Sequence, residues 1–264
     1  MFRVKRWIIA ASALGIAFAA RAQTNAPSTS SLGASAPASD VSPAEPLSAT
    51  EPDNTRYLAD PKLLAACQAR LNAFGNKPCD IIFIGDSSTA RWQKTGKAIW
   101  DQSYEPRHAL NFGVEGDKTQ NVLWRLGNME VQSLKPKVVV LLIGANNTAN
   151  TSHEIADGIK SIVVNVEADF PGVKIILVSI LPNERADDKM RQANSLIRGN
   201  ADASTVFYLD LFSLMPPITV TGPDGRIETN YKGIGPDHLN PDAKGYEIWA
   251  KAMEPLLKKL LGEK

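Results

Sequence analysis

Short apolar runs rich in Val and Ile punctuate the chain at Ile81–Ile84, Ala109–Val114, Val138–Ile143 and Lys174–Ile180, with a less pure one at Val206–Leu211. Val138-Val139-Val140-Leu141-Leu142-Ile143 is continuous rather than alternating, the pattern of a strand covered on both faces. Between the runs lie stretches at about 118–133, 153–169 and 187–202 with apolar residues three and four apart, such as Ile155, Ile159, Ile162, Val163 and Val166. That spacing predicts amphipathic helices. A last helix is expected from Pro241 to about Leu261, with the proline in its first turn. Strands alternating with helices predict a parallel sheet covered on both faces, with ligands at the carboxyl ends of its strands.

The start of the chain is patterned differently. Arg3, Lys5 and Arg6 precede the apolar stretch Trp7–Ala20, and Ala20-Arg21-Ala22 fits a small-x-small cleavage site. Residues 1–22 therefore read as a secretory signal peptide, the apolar stretch being shorter than the roughly 20 residues that span a bilayer. This places the protein outside the cytoplasm, periplasmic or secreted, with no membrane span after cleavage. Residues 23–54 are mostly Ser, Ala, Pro and Thr and read as a disordered linker, since little there offsets the entropy of ordering. One domain is expected over 55–264.

Charge narrows the function. Losing Arg3, Lys5, Arg6 and Arg21 with the leader takes the formal charge from +1 to −3, and no basic footprint of a nucleic-acid binder remains. The three histidines, at 108, 153 and 238, form no metal-ligand cluster in sequence. Cys67 and Cys79 can pair in an oxidising compartment, but spacing leaves the disulfide open.

The residues with chemistry sit just after the predicted strands. Gly85-Asp86-Ser87 follows the first, Asn111-Phe112-Gly113-Val114-Glu115-Gly116-Asp117 spans the end of the second, and Gly144-Ala145-Asn146-Asn147 follows the third. A strand-end serine suits a nucleophile, and a glycine N–H with an asparagine amide suits a developing oxyanion without adding charge. Singly, each motif is explained by turn geometry or helix capping. Three in succession are a stronger signal.

These motifs, in order, together with a C-terminal Asp-containing block, resemble the signature blocks of SGNH (GDSL-like) hydrolases. Leu110–Gly113 and Asn121-Val122-Leu123-Trp124-Arg125-Leu126 resemble the catalytic subunits of platelet-activating factor acetylhydrolase IB. The resemblance runs from about Cys79 to Leu257. It implies a three-layer α/β/α sandwich with a flavodoxin-like parallel sheet of about five strands. It also implies a serine esterase that cleaves a short acyl ester, acetyl above all, of a lipid or carbohydrate through an acyl-enzyme, without cofactor. Carried over by position, Ser87 is the nucleophile, and Ser87, Gly116 and Asn146 form the oxyanion hole.

The last block departs from the pattern. The family places its catalytic histidine five residues before a Gly-Tyr pair and three after an aspartate. Counting back from Gly245-Tyr246 reaches Asn240, three after Asp237, and the one histidine of the block is His238. An amide has no useful basicity. Two readings stay open. In the favoured one the loop shifts so that His238, oriented by Asp237, serves Ser87. In the other, Asn240 fills the histidine site and the protein is a catalytically impaired carbohydrate- or lipid-binding relative. Among the remaining residues, Asp86 is expected to be structural, Trp92 and Trp124 to pack, and Arg125 to make a surface ion pair on its helix.

Overall fold

The computed structural model describes residues 48–75, 77–222 and 224–263; the expected signal peptide and residues 23–47 of the expected linker lie outside them. The chain runs α1 (Thr55–Ala59), α2 (Pro61–Phe74), β1 (Ile81–Gly85), α3 (Ser87–Ala90), α4 (Lys97–Ile99), β2 (Ala109–Gly113), α5 (Thr119–Asn128) and β3 (Val138–Leu142). It continues through α6 (Ser152–Asp169), β4 (Lys174–Val178), α7 (Asp187–Arg198), β5 (Val206–Leu209), β6 (Pro217–Thr221), β7 (Ile227–Tyr231) and α8 (Ala243–Leu261). Strands β1 to β5 form one parallel sheet in the order β2-β1-β3-β4-β5, and β6 pairs with β7 as a separate antiparallel hairpin.

Period-two geometry divides each central strand between two cores. Ile82, Ile84, Leu110, Phe112, Val139, Leu141, Ile175 and Leu177 pack with residues of α2, α5, α6 and α7, including Leu71, Val122, Ile162 and Met190. Ile81, Phe83, Val138, Val140, Leu142, Ile176 and Val178 face the other way, onto Trp92, Trp100, Tyr104 and the α8 residues Tyr246, Trp249, Met253 and Leu257. The result is the expected three-layer sandwich with the flavodoxin-like strand order.

The expected linker ends sooner than residue 54. Ala49 is buried, its carbonyl accepts from Thr119 Oγ1 at 2.9 Å, Asp53 N donates to Gln120 O at 3.1 Å, and Asn121 Nδ2 donates to Asp53 O at 3.1 Å. Gly158 permits this approach, since a Cβ there would stand 2.6 Å from Ala49 O. Polar groups at the start of α5 thus hold seven or so residues whose composition alone predicts no order. One further expectation changes, two features are new, and the open question of the disulfide is answered. Helix α8 begins at Ala243 with Asp242 as its N-cap, accepting from Gly245 N at 2.8 Å, so Pro241 lies before the helix rather than in its first turn. Helix α2 and the β6–β7 hairpin were not foreseen. Cys67 and Cys79 are both buried and unpaired with each other. Among the described residues no helix is long and apolar enough to cross a membrane.

Candidate active site

The sheet register brings the strand-end motifs together. Gly85 pairs with Gly113 of β2 and with Leu142 of β3, so Ser87, the 114–117 loop and Asn146 leave one edge of the sheet side by side. Ser87 is the first residue of α3, 7 % exposed, and its N–H belongs to the turn in which helix donors have no intrahelical acceptor. Asp86 caps that turn, its Oδ1 accepting from Ser88 N at 3.0 Å. Its other oxygen is buried without a partner, and burial pushes this carboxyl up to about 7. Asn111, for which sequence suggested no separate role, fastens the turn to the next strand. Its Nδ2 donates to Thr89 O at 2.8 Å while its Oδ1 accepts from Gly113 N at 3.0 Å.

The loop carrying Gly116 is anchored through its neighbours. Gly116 has φ +79°, in the left-handed region. Asp117 is fully buried and accepts from Arg125 Nε at 2.9 Å, from Tyr57 Oη at 2.7 and 2.8 Å, and from Arg56 Nη1 at 2.8 Å. Burial raises the Asp117 carboxyl above its usual range, opposed by the Arg125 guanidinium, the Tyr57 hydroxyl and the Arg56 charge. Arg125 is therefore no surface residue. It is wholly buried, also donates to Phe112 O at 2.9 Å, and lies 4.3 Å from the Phe112 ring.

The two asparagines after β3 divide their work. Asn146 donates one N–H to Asp117 O at 2.9 Å, which turns its amide toward the Gly116 loop and leaves a second N–H for a ligand. Asn147 is fully buried and structural. Its Oδ1 accepts from Thr119 N at 3.1 Å, and its Nδ2 donates to Gln120 Oε1 at 2.9 Å and Asn150 Oδ1 at 3.0 Å.

The fourth block does not take the shifted register. Asp237 receives Asn240 N at 2.9 Å and Asn240 Nδ2 at 2.8 Å, and pairs with Arg91 Nη1 at 2.7 Å. Partial burial works against the charge of Asp237. The two Asn240 donors and Arg91 outweigh it and hold the carboxyl down at about 2. Asn240 is buried, and its Oδ1 accepts from Ser88 Oγ at 3.3 Å, so both ends of the amide are fixed. His238 points elsewhere. Its Nδ1 lies 3.4 Å from Glu184 Oε2 and its Nε2 3.5 Å from Glu228 Oε2, on a backbone with φ +53°. The structure thus brings Asn240, not His238, to Asp237 and the α3 turn. Asp237 and His238 sit in a tight turn closed by His238 N donating to Gly235 O at 3.0 Å, with His238 in the left-handed region and the Asp237 oxygens taken by Asn240 and Arg91, which is the physical reason the pairing of Asp237 with His238 does not form. His108 is bonded to Asp80 at 2.9 Å ahead of β2, and His153 is exposed on α6.

Trp92 is fully buried in the α8-side core, 4.4 Å from the Tyr246 ring, and the Tyr246 hydroxyl donates to Ser88 O at 2.8 Å. Trp124 stacks on Tyr57 at 5.2 Å. Both tryptophans pack, as expected. A cleft of about 590 Å³ lined by Trp100, Asp101, Glu105 and His108 lies at the amino edge of β2 and takes no part in this site.

A three-layer α/β/α fold with a serine, a glycine loop and an asparagine at successive strand ends defines the SGNH class of hydrolases. The profile of the GDSL-like lipase/acylhydrolase family matches residues 83–248, and the chain belongs to that family of ester hydrolases. It is 35 % identical over 188 residues to the human platelet-activating factor acetylhydrolase IB subunit alpha2, covering 71 % of this chain and 80 % of that one. Its fold is similar to a GDSL-like lipase from Bacteroides thetaiotaomicron, with TM-score 0.56, 20 % identity, and 78 % and 98 % of the two chains covered. A carbohydrate esterase family 3 protein from Talaromyces cellulolyticus shares the fold with TM-score 0.51, 18 % identity, and 70 % and 98 % coverage.

Proposed function

We propose that the protein is an acylhydrolase for short acyl esters, acetyl esters of a lipid or carbohydrate above all, whose turnover is slowed by an incomplete triad. Ser87 is the nucleophile. The carbonyl oxygen is received by the N–H groups of Ser87 and Gly116 and the second N–H of Asn146, with no cofactor. The human relative is named an acetylhydrolase, which supports a small acyl group. Export, to the periplasm or outside, follows from the leader and points to an extracytoplasmic ester.

One observation carries the reading. The oxyanion side is tied down from three directions, while Asp237 spends its hydrogen bonds on Asn240 and Arg91. Asn240 reproduces the donor that a histidine would offer Asp237 but supplies no base for the serine. Nucleophile and base act as a unit, so acyl transfer without the base is strongly depressed. The second reading, an ester-binding protein with no turnover, is favoured by the same asparagine.

Hydrolysis of p-nitrophenyl acetate by the mature protein separates them. The parent should turn over slowly, Ser87→Ala should abolish that rate, and Asn240→His should raise it about 10²-fold or more, the usual worth of a general base. His238→Ala should leave it unchanged. A fast parent that collapses in His238→Ala would mean that the loop re-registers around the substrate. Absence of Ser87-dependent turnover in every variant would leave the binding reading.

A further inference from the structure

We propose that Arg56, which precedes the family-matched segment, is a positioning residue that aims and strengthens the Gly116 oxyanion donor. The proposal rests on the acylhydrolase reading above. An oxyanion donor must stand within a few tenths of an ångström of its place, and loops do not hold such positions unaided. Glu115 C=O and Gly116 N–H are the two ends of one trans peptide plane and point in opposite directions. Whatever fixes the carbonyl fixes the N–H.

Arg56 is placed to do this. Its Nη2 donates to Glu115 O, and its Nη1 donates to Asp117 Oδ1 at 2.8 Å. The guanidinium brackets Gly116, and a Cβ there would stand 3.0 Å from Nη2 and 3.2 Å from Cζ. Gly116 is the residue of the loop most free to let its peptide flip, having φ +79° and no side chain. The rigid fork of arginine satisfies carbonyl and carboxylate together, which a lysine cannot. A cation on the carbonyl also polarises the peptide and makes its N–H a better donor to a developing negative charge. Tyr57, next in the chain, anchors α1 by donating to both oxygens of Asp117 and stacking on Trp124. The remaining ties on the loop do not reach the Glu115–Gly116 peptide: Arg125 and Asn146 bond to Asp117, Lys94 and Arg91 pair with the Glu115 carboxylate, and the backbone bonds run from Val114 N to Gly85 O and from Asp117 N to Val114 O. Arg56 alone among the described contacts holds that peptide by its carbonyl.

The test compares Arg56→Ala and Arg56→Lys in the parent and in Asn240→His, with p-nitrophenyl acetate as substrate and amide hydrogen exchange over residues 113–121 as a second readout. In Arg56→Ala, kcat should fall about 30-fold, short of the 10²–10³ lost when a donor is deleted outright, with KM within about twofold. Exchange should rise in the 113–121 segment and stay unchanged in the β-sheet. Arg56→Lys should recover only part of kcat, and it carries the same comparison if the alanine variant does not fold. Unchanged kcat and unchanged exchange would overturn the proposal, as would a change confined to KM, which would make Arg56 a substrate contact. If no variant shows Ser87-dependent turnover, the acylhydrolase reading fails by itself. Exchange then decides for Arg56, with faster local exchange upholding its hold on the peptide and unaltered exchange refuting it.

Discussion

The two halves of the site were built by the same fold and treated differently. On the proposed oxyanion side, Asp117 collects donors from Arg56, Tyr57 and Arg125, and its carbonyl takes another from Asn146. On the side proposed to hold the base, Asn240 donates to Asp237 as a histidine would, but an amide has no useful basicity. A hydrogen-bonding position is conserved in form by any residue that donates at the right place, so Asn240 is structurally quiet. Basicity has no such substitute. The difference teaches that a site's scaffold and its reactivity are separable, and that binding geometry alone does not report turnover.

The largest expected effect tests how firmly the oxyanion side is held. Arg125→Met leaves Asp117 buried beside one fewer cation, and breaking a buried pair this way costs about 3–5 kcal/mol. Urea unfolding should show that loss in the midpoint with an unchanged slope. A loss under about 1 kcal/mol, the range of exposed pairs, would mean that Arg56 and Tyr57 satisfy Asp117 without it. Next comes Asn146→Ala. On the proposed reading it removes an oxyanion donor and should lower kcat about 10²-fold in the Asn240→His background with KM little changed. A rise in KM with kcat unchanged would place the contact of Asn146 at the ground state instead.

Much of this contrast could be read from the chain before its structure. Continuous apolar strands such as Val138–Leu142 announce themselves because both faces are buried, and the motifs follow at their ends. Asn240 was found by counting back from Gly245-Tyr246. What decided between the two registers was only partly legible in sequence: the adjacency of Asp237 and His238 argues against their pairing, but that His238 turns to Glu184 and Glu228 while Asn240 takes Asp237 depends on the folded turn. The β6–β7 hairpin gave little signal because it buries little, with Ile218 and Ile227 40 % and 78 % exposed. Arg125 did leave a trace, three residues after Val122 on the apolar face of α5, but its partner Asp117 stands just before the N-cap of that helix, and the burial of both is set by packing the chain does not announce. Arg56 fell at the edge of a stretch whose composition predicts disorder, and its role depends on a long-range contact.

The smallest expected effect sharpens the comparison through two carboxyls, one in each half. Asp86 beside Ser87 is pushed up from 3.8 to about 7 by burial, and Asp237 is held at about 2. A raised carboxyl contributes stability that is full below its unfolded value and is lost as pH rises through the folded one. Asp86 should therefore make the protein progressively less stable between about pH 4 and 7 as the buried group is forced to ionise. Asp86→Asn keeps an oxygen for Ser88 N and cannot ionise, so its stability should not carry this slope. Asp237 has the opposite sign, and its contribution is lost only as pH falls through about 2, so Asp237→Asn should leave the pH 4–7 slope as in the parent. Urea midpoints of the three proteins at pH 4.5 and 8 make the measurement. If the parent and Asp86→Asn change in parallel, Asp86 is ionised throughout, and the Ser87 turn is more polar than its burial suggests.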